Sequence, residues 1–213
     1  MYDEYTIITA EEAEDDYEVS DHIWYQYQDF EEEQEIRLYS GNIEIPGNFG
    51  PHEDADWNPF NVIIDGDLTI QGDFECWDRG NGHFYLITGD LYARNIFMEG
   101  CPNVVVLGNV DVEYGIIGSE GDDGGLFSVE GDVGAQALIC LSFFNMEFSG
   151  GVRSAVISDS GRLNCQADCE DDGFDEYLIP EVLSDDESVD ASAVKEHLME
   201  GRNILNQDAF SNE

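Results

Sequence analysis

Tyr85-Leu86-Ile87-Thr88-Gly89-Asp90-Leu91 and, 19 residues further on, Val104-Val105-Val106-Leu107-Gly108-Asn109-Val110 state one pattern twice: apolar-x-apolar-x-Gly-(Asp/Asn)-apolar. The pattern also reads from Ile43 to Phe49, from Val62 to Leu68 and from Phe127 to Val133, and, with Gly151 in the acidic slot, from Met146 to Val152. Its glycines, Gly47, Gly66, Gly89, Gly108, Gly131 and Gly150, stand 19, 23, 19, 23 and 19 residues apart. Alignment on the glycine gives three apolar columns. Ile43, Val62, Tyr85, Val104, Phe127 and Met146 lie four before it; Ile45, Ile64, Ile87, Val106, Val129 and Phe148 lie two before it; Phe49, Leu68, Leu91, Val110, Val133 and Val152 lie two after it.

Alternation of period two, rich in β-branched residues, marks strands. A glycine between two short strands marks a bend that needs positive φ or close backbone approach. Strands that bend at the same place every ~20 residues describe a β-solenoid, in which no coil buries its apolar side alone and stacking makes the core. The expected fold is mainly β, a parallel β-helix of about six coils, one per copy of the motif. An antiparallel meander or sandwich has similar strand lengths but reverses direction, and it gives no reason for one bend to keep register. The Asp/Asn column after the glycine (Asn48, Asp67, Asp90, Asn109 and Asp132) is expected to close the bends by bonding backbone N–H groups. The longer coils carry inserts near Asp78-Arg79-Gly80-Asn81-Gly82 and Glu120-Gly121-Asp122-Asp123-Gly124, which should open from one edge. They read as solvated turns, or as a lobe taking Ca²⁺ through Asp122 and Asp123.

Solenoid ends expose backbone and need covers. Three regions are therefore expected: an acidic N-terminal cap (1–40), the solenoid (41–160) and a C-terminal tether with a capping α-helix (161–213). His22-Ile23-Trp24-Tyr25-Gln26-Tyr27-Gln28-Asp29-Phe30 reads as a strand or edge segment of the cap. Asp190 can cap a helix from about Ala191 to Glu200, ended by Gly201. Before it, Tyr177-Leu178-Ile179-Pro180-Glu181-Val182-Leu183 is an apolar tether suited to the solenoid wall.

The stacked Gly-Asp-Leu and Gly-Asn-Val coils, the Leu-Ile-Pro-Glu-Val-Leu segment and the final Glu200-Gly201-Arg202-Asn203-Ile204-Leu205 resemble bacterial bactofilin-like, polymer-forming cytoskeletal proteins over roughly residues 41–205. The resemblance implies a right-handed β-solenoid, no catalytic constellation, and assembly through exposed coil ends. The C-terminal helix and the acidic N-terminal segment are additions to that family's pattern.

Catalytic signatures are missing from the sequence: there is no Gly-x-Ser-x-Gly elbow, phosphate loop or His-Glu-x-x-His pair. His22, His52, His83 and His197 are scattered, and Cys165 and Cys169 lack a second pair that would complete a zinc set. We therefore expect no enzyme, cofactor or metal. Five cysteines (Cys76, Cys101, Cys140, Cys165 and Cys169) in a chain of this length read as free thiols. Neither a secretory leader nor an apolar run of membrane-spanning length is visible, so a cytoplasmic location is expected.

Charge is the remaining signal. Against 49 acidic side chains stand 7 basic ones, one of them a lysine (Lys195), for a formal charge of −42. Such a surface disfavours nucleic acid and anionic lipid as direct partners. Residues 1–40 are densest, with 14 acids and one base, Arg37. Self-repulsion of this size costs stability, so it calls for a reason: a basic protein partner, a salt-rich cytoplasm, or spacing along a filament. The expected function is a non-catalytic immunity or inhibitor protein that neutralises a basic, nuclease-like toxin by charge complementarity. The expected contact residues are Tyr25, Tyr27, Asp29, Glu31, Glu32, Glu33 and Glu35, where aromatic anchors adjoin dense acid. The chain itself is expected to be a monomer or small oligomer, with a structural assembly element or a halophile-adapted solenoid as the alternatives.

Overall fold

The structure is a computed structural model that describes residues 4–30, 32, 34–50, 60–120, 125–159, 162–167, 170, 173–206 and 209. It is a β-solenoid of about five turns. Each turn contributes to three walls, and all pairing between turns is parallel. The first wall runs β2 (Ile36–Ser40), β4 (Asn61–Asp65), the second half of β6 (Asp73–Ile87), the second half of β8 (Asn95–Val106), β11 (Leu126–Val129), β13 (Asn145–Phe148) and β15 (Leu163–Asn164). The second wall runs β3 (Ile43–Ile45), β5 (Leu68–Ile70), β7 (Leu91–Ala93), β9 (Val110–Val112) and the starts of β12 (Val133–Cys140) and β14 (Val152–Ser158). The third wall stacks the first halves of β6 and β8, β10 (Gly115–Ser119) and the ends of β12 and β14.

The glycine register holds from Gly66 onward. Ile64, Ile87, Val106, Val129 and Phe148 are successive partners, as are Leu68, Leu91, Val110, Val133 and Val152. The first copy is different. Ile43 pairs with Leu68 and Ile45 with Ile70, so the corner equivalent to Gly66 is Gly41 rather than Gly47, 25 residues away. The inward position four before Gly41 belongs to Arg37, which pairs with Val62. Its guanidinium lies 3.7 Å from the Phe60 ring centroid and 4.8 Å from that of Tyr5, closing the end of the core. Gly47 instead belongs to the corner between the second and third walls, stacked beneath Gly72. Six glycine corners bound five complete turns of the expected β-solenoid.

The Asp/Asn column acts between coils. Oδ1 of Asn42 accepts the backbone N–H of Asp67 (3.1 Å), Asp67 that of Asp90 (2.9 Å), Asp90 that of Asn109 (2.7 Å), Asn109 that of Asp132 (3.0 Å) and Asp132 that of Gly151 (2.8 Å). Asn48 does the same for Asp73 at the neighbouring corner, at 3.0 Å. Close approach is why glycine precedes each step: a Cβ on Gly89 would stand 2.3 Å from Asp67 Oδ1 and 2.7 Å from the Gly66 carbonyl carbon.

The two ends of the chain run along the solenoid walls. β1 (Thr6–Ile8) pairs antiparallel with β2 and covers that edge. The rest of the N-terminal segment, including α1 (Ala10–Tyr17), lies over the outer face of the first wall, where Ala13, Val19, Ile23 and Tyr27 meet Ile63, Phe84 and Leu86. The segment 22–30 forms bends and a 3-10 turn at Tyr27–Phe30 instead of the expected strand. The solenoid's first strand, β2, lies within the region read as cap.

The C-terminal tether follows the outer face of the third wall, as expected. The short helix α2 (Phe174–Tyr177) leads into it, and α3 (Ala191–Met199) is capped by Asp190, which accepts from the N–H groups of Ser192 and Ala193. Gly201 follows with φ +68°. Val194 and Leu198 of α3 pack with Phe97, Ile117 and Ile139, so the helix covers a wall and not an end. Lys195 fastens it, with Nζ 2.8 Å from Glu75 and 5.3 Å from the Phe97 ring centroid. No helix among the described residues is long and apolar enough to cross a membrane.

Replacing Val106, fully buried between Ile87 and Val129, by Asp should abolish cooperative unfolding in a thermal melt, since an unpaired carboxylate cannot be solvated there. Gly89→Ala should lower stability by ~2–4 kcal/mol in urea titration, because the opposing atoms include backbone. Asp90→Asn keeps the ladder oxygen and should stay within ~0.5 kcal/mol of the parent, whereas Asp90→Ala should lose ~1 kcal/mol.

Candidate interaction surface

The acidic N-terminal segment holds the expected contact residues, and local chemistry fixes its course. Thr9 and Glu12 form a reciprocal capping box at the start of α1. Hydrogen bonding to Thr9 holds the Glu12 carboxyl below its ordinary pKa. Glu18 ends the helix in the left-handed region at φ 49°, and the chain turns back through Val19–Asp21. Further on, the backbone N–H of Trp24 donates to Asn103 Oδ1 at 2.9 Å. Buried Gln34 donates to the Gly82 carbonyl and accepts from the Tyr25 hydroxyl and from Asn61 Nδ2.

Bends and a 3-10 turn break the period-two alternation that would have put Tyr25 and Tyr27 on one face. Tyr27 has no exposed surface; its ring packs edge-on to Phe84, and its hydroxyl reaches Glu14 at 3.2 Å. It is a core residue of this segment, and the expectation that it presents an anchor to a partner is corrected. Tyr25 stays near the rim, stacked on Phe30 with centroids 5.4 Å apart and seated on Gly82, where a Cβ would come within 2.5 Å of its ring. The first insert thus forms part of the seat for the N-terminal segment.

Tyr25 and Asp29 line one groove of about 420 Å³, with Ser20, Ile23, Trp24, Gln26 and Gln28. Trp24, 52% exposed, and Phe30, 37% exposed, are the aromatic surfaces the sequence reading missed. Their positions in a bend and a 3-10 turn left no periodic signal. Asp29 and Glu32 are exposed, and Glu35 is held by Arg37 at 2.9 Å. Glu31 and Glu33 lie outside the described residues, as do Asp122, Asp123 and Cys169.

Elsewhere, Cys76 Sγ lies 3.3 Å from His83 Nε2. Both residues are buried. Beneath α3 a pocket of about 90 Å³ holds the Lys195–Glu75 pair. Among the described residues, no group of three or more His, Cys, Asp and Glu side chains is arranged to hold a metal ion.

No protein-family model matches the chain, and neither a curated protein nor a solved structure matches it. The geometry alone defines the class, a three-walled parallel β-solenoid with both terminal segments laid along its walls.

Tyr27→Phe should cost ~1 kcal/mol and Tyr27→Ala ~3–5 kcal/mol in urea unfolding, through the hydroxyl contacts and the cavity respectively. Trp24→Ala, at an exposed ring, should stay within ~0.5 kcal/mol of the parent.

Proposed function

We propose that the protein is a non-catalytic acidic binding protein of the immunity or inhibitor type, which neutralises a basic, nuclease-like protein partner. The observation that carries this reading is the groove lined by Trp24, Tyr25 and Asp29, with Phe30 stacked on Tyr25, on a chain of formal charge −42. Exposed aromatic surface supplies contact area, and the acid around it supplies steering and selects against acidic competitors. A cytoplasmic site of action fits this role and is part of the same proposal.

Partner capture from the source cell, followed by stopped-flow association, tests it. Neutralising Asp29, Glu32 and Glu35 together with Glu31 and Glu33 should slow association about tenfold or more at low salt and flatten its salt dependence, with dissociation little changed. Unchanged association would remove this segment from the interface.

A bactofilin-like assembly element is the second reading. The observation in its favour is that β3 pairs only with β5, and the second-wall portion of β14 only with β12, leaving both edges of that wall uncovered among the described residues. Such edges can pair end to end. Sedimentation across salt concentrations separates the two readings: long rods support assembly, and a monomer or small oligomer supports the binding protein.

A further inference from the structure

The first and third walls are covered by the chain's own terminal segments, and among the described residues no such segment lies over the second. Its outward row along the stack is Glu44, Thr69, Tyr92, Asp111, Gly134 and Arg153. Tyr92 stands in the middle of this row, 42% exposed, between its cross-strand partners Thr69 and Asp111. The corner beside it carries Asp90, whose Oδ1 is used by the ladder and whose Oδ2 lies 3.5 Å from the Tyr92 hydroxyl. Arg153 lies two strands beyond Asp111.

An aromatic face beside carboxylates suits a guanidinium group. The ring's negative face attracts the cation, the carboxylates accept its N–H groups, and a planar group can stack while doing both. The chain treats its own cations this way. Arg37 lies over Phe60 with Glu35 at 2.9 Å, and Lys195 lies near Phe97 with Glu75 at 2.8 Å. Arg94 and Arg162 likewise face Tyr114 and Phe143. Tyr92 has the ring and the acids, and among the described residues no cation of the chain is recorded over it. The surrounding charge, Asp90 foremost and then Asp111 and Asp67, also helps to hold its phenol above the ordinary value.

We propose that Tyr92, with Asp90 and Asp111, is the seat for an arginine side chain projecting from a basic protein partner. This rests on the reading above that the partner is basic, and it adds a second contact surface on the second wall, away from the Trp24 groove. Charge complementarity selects a cation, and the flat ring selects arginine over lysine.

Fluorescence anisotropy of labelled nona-arginine and nona-lysine peptides with the full chain, at about 0.1 M salt to suppress long-range attraction, tests the seat. Nona-arginine should bind more tightly than nona-lysine. Tyr92→Thr, which suits a strand, should weaken nona-arginine about threefold and erase the preference, and Asp111→Asn should weaken it by a smaller factor. Tyr92→Phe keeps the ring and should keep the preference. In protein labelled with 3-fluorotyrosine, the Tyr92 resonance, assigned by its loss in Tyr92→Phe, should shift on addition of nona-arginine. Equal binding by Tyr92→Thr, or an unmoved resonance while the peptide binds, would overturn the seat and leave the basic-partner reading standing. Failure of the intact chain to bind either peptide would overturn both.

Discussion

One side-chain oxygen per turn, accepting a backbone N–H from the next turn, sets the geometry on which the rest of the molecule depends. At the Gly-Asx corner the chain changes direction, and the wall-to-wall backbone pairing is interrupted there. The Asx oxygen bridges that interruption, and the missing side chain of the glycine lets successive turns approach closely enough for it to reach. With the corners locked, the inward columns fall into register and every turn buries its apolar side on the turns beside it. The order of causes therefore runs from corner to column to core.

The terminal segments complete this arrangement sideways. Apolar outward residues on two walls would be a liability in water, and each is matched by a terminal segment: Phe84 and Leu86 by Tyr27, Val19 and Ala13, and Ile117 and Ile139 by Val194 and Leu198. The second wall needs no such cover, because its outward positions are occupied by Glu44, Tyr92, Asp111 and Arg153. Coverage follows the chemistry of the outward row, wall by wall. Among the described residues, the two covers pack into separate cores, each with the wall beneath it.

Much of the solenoid was legible in the sequence because its corner chemistry is local and repeats. The inward columns from Val62 to Val152 could be read from spacing alone, as could the helix capped by Asp190. The first turn could not, for two physical reasons. Arg37 occupies an inward position at the end of the core, where aromatic rings can receive a guanidinium, so the apolar pattern breaks there. That turn also spans 25 residues, and Gly47, a glycine of another corner, stands 19 residues before Gly66 and so imitates the missing member. The N-terminal segment was harder still. The capping pair Thr9 and Glu12 was present in the sequence, but Ala10 and Ala13 gave α1 too little apolar signal to stand out. Trp24 and Tyr27 were sorted to surface and core by bends that follow no period.

The corner ladder also has a direction. Each side chain accepts from the turn that follows it in sequence, so every bond points the same way along the stack. At Gly151 the last N–H is donated, and no side-chain oxygen is offered onward. The ladder, though not the strand pairing, thus behaves as a chain of links closed by a blank one: β15 still stacks on β13 beyond it.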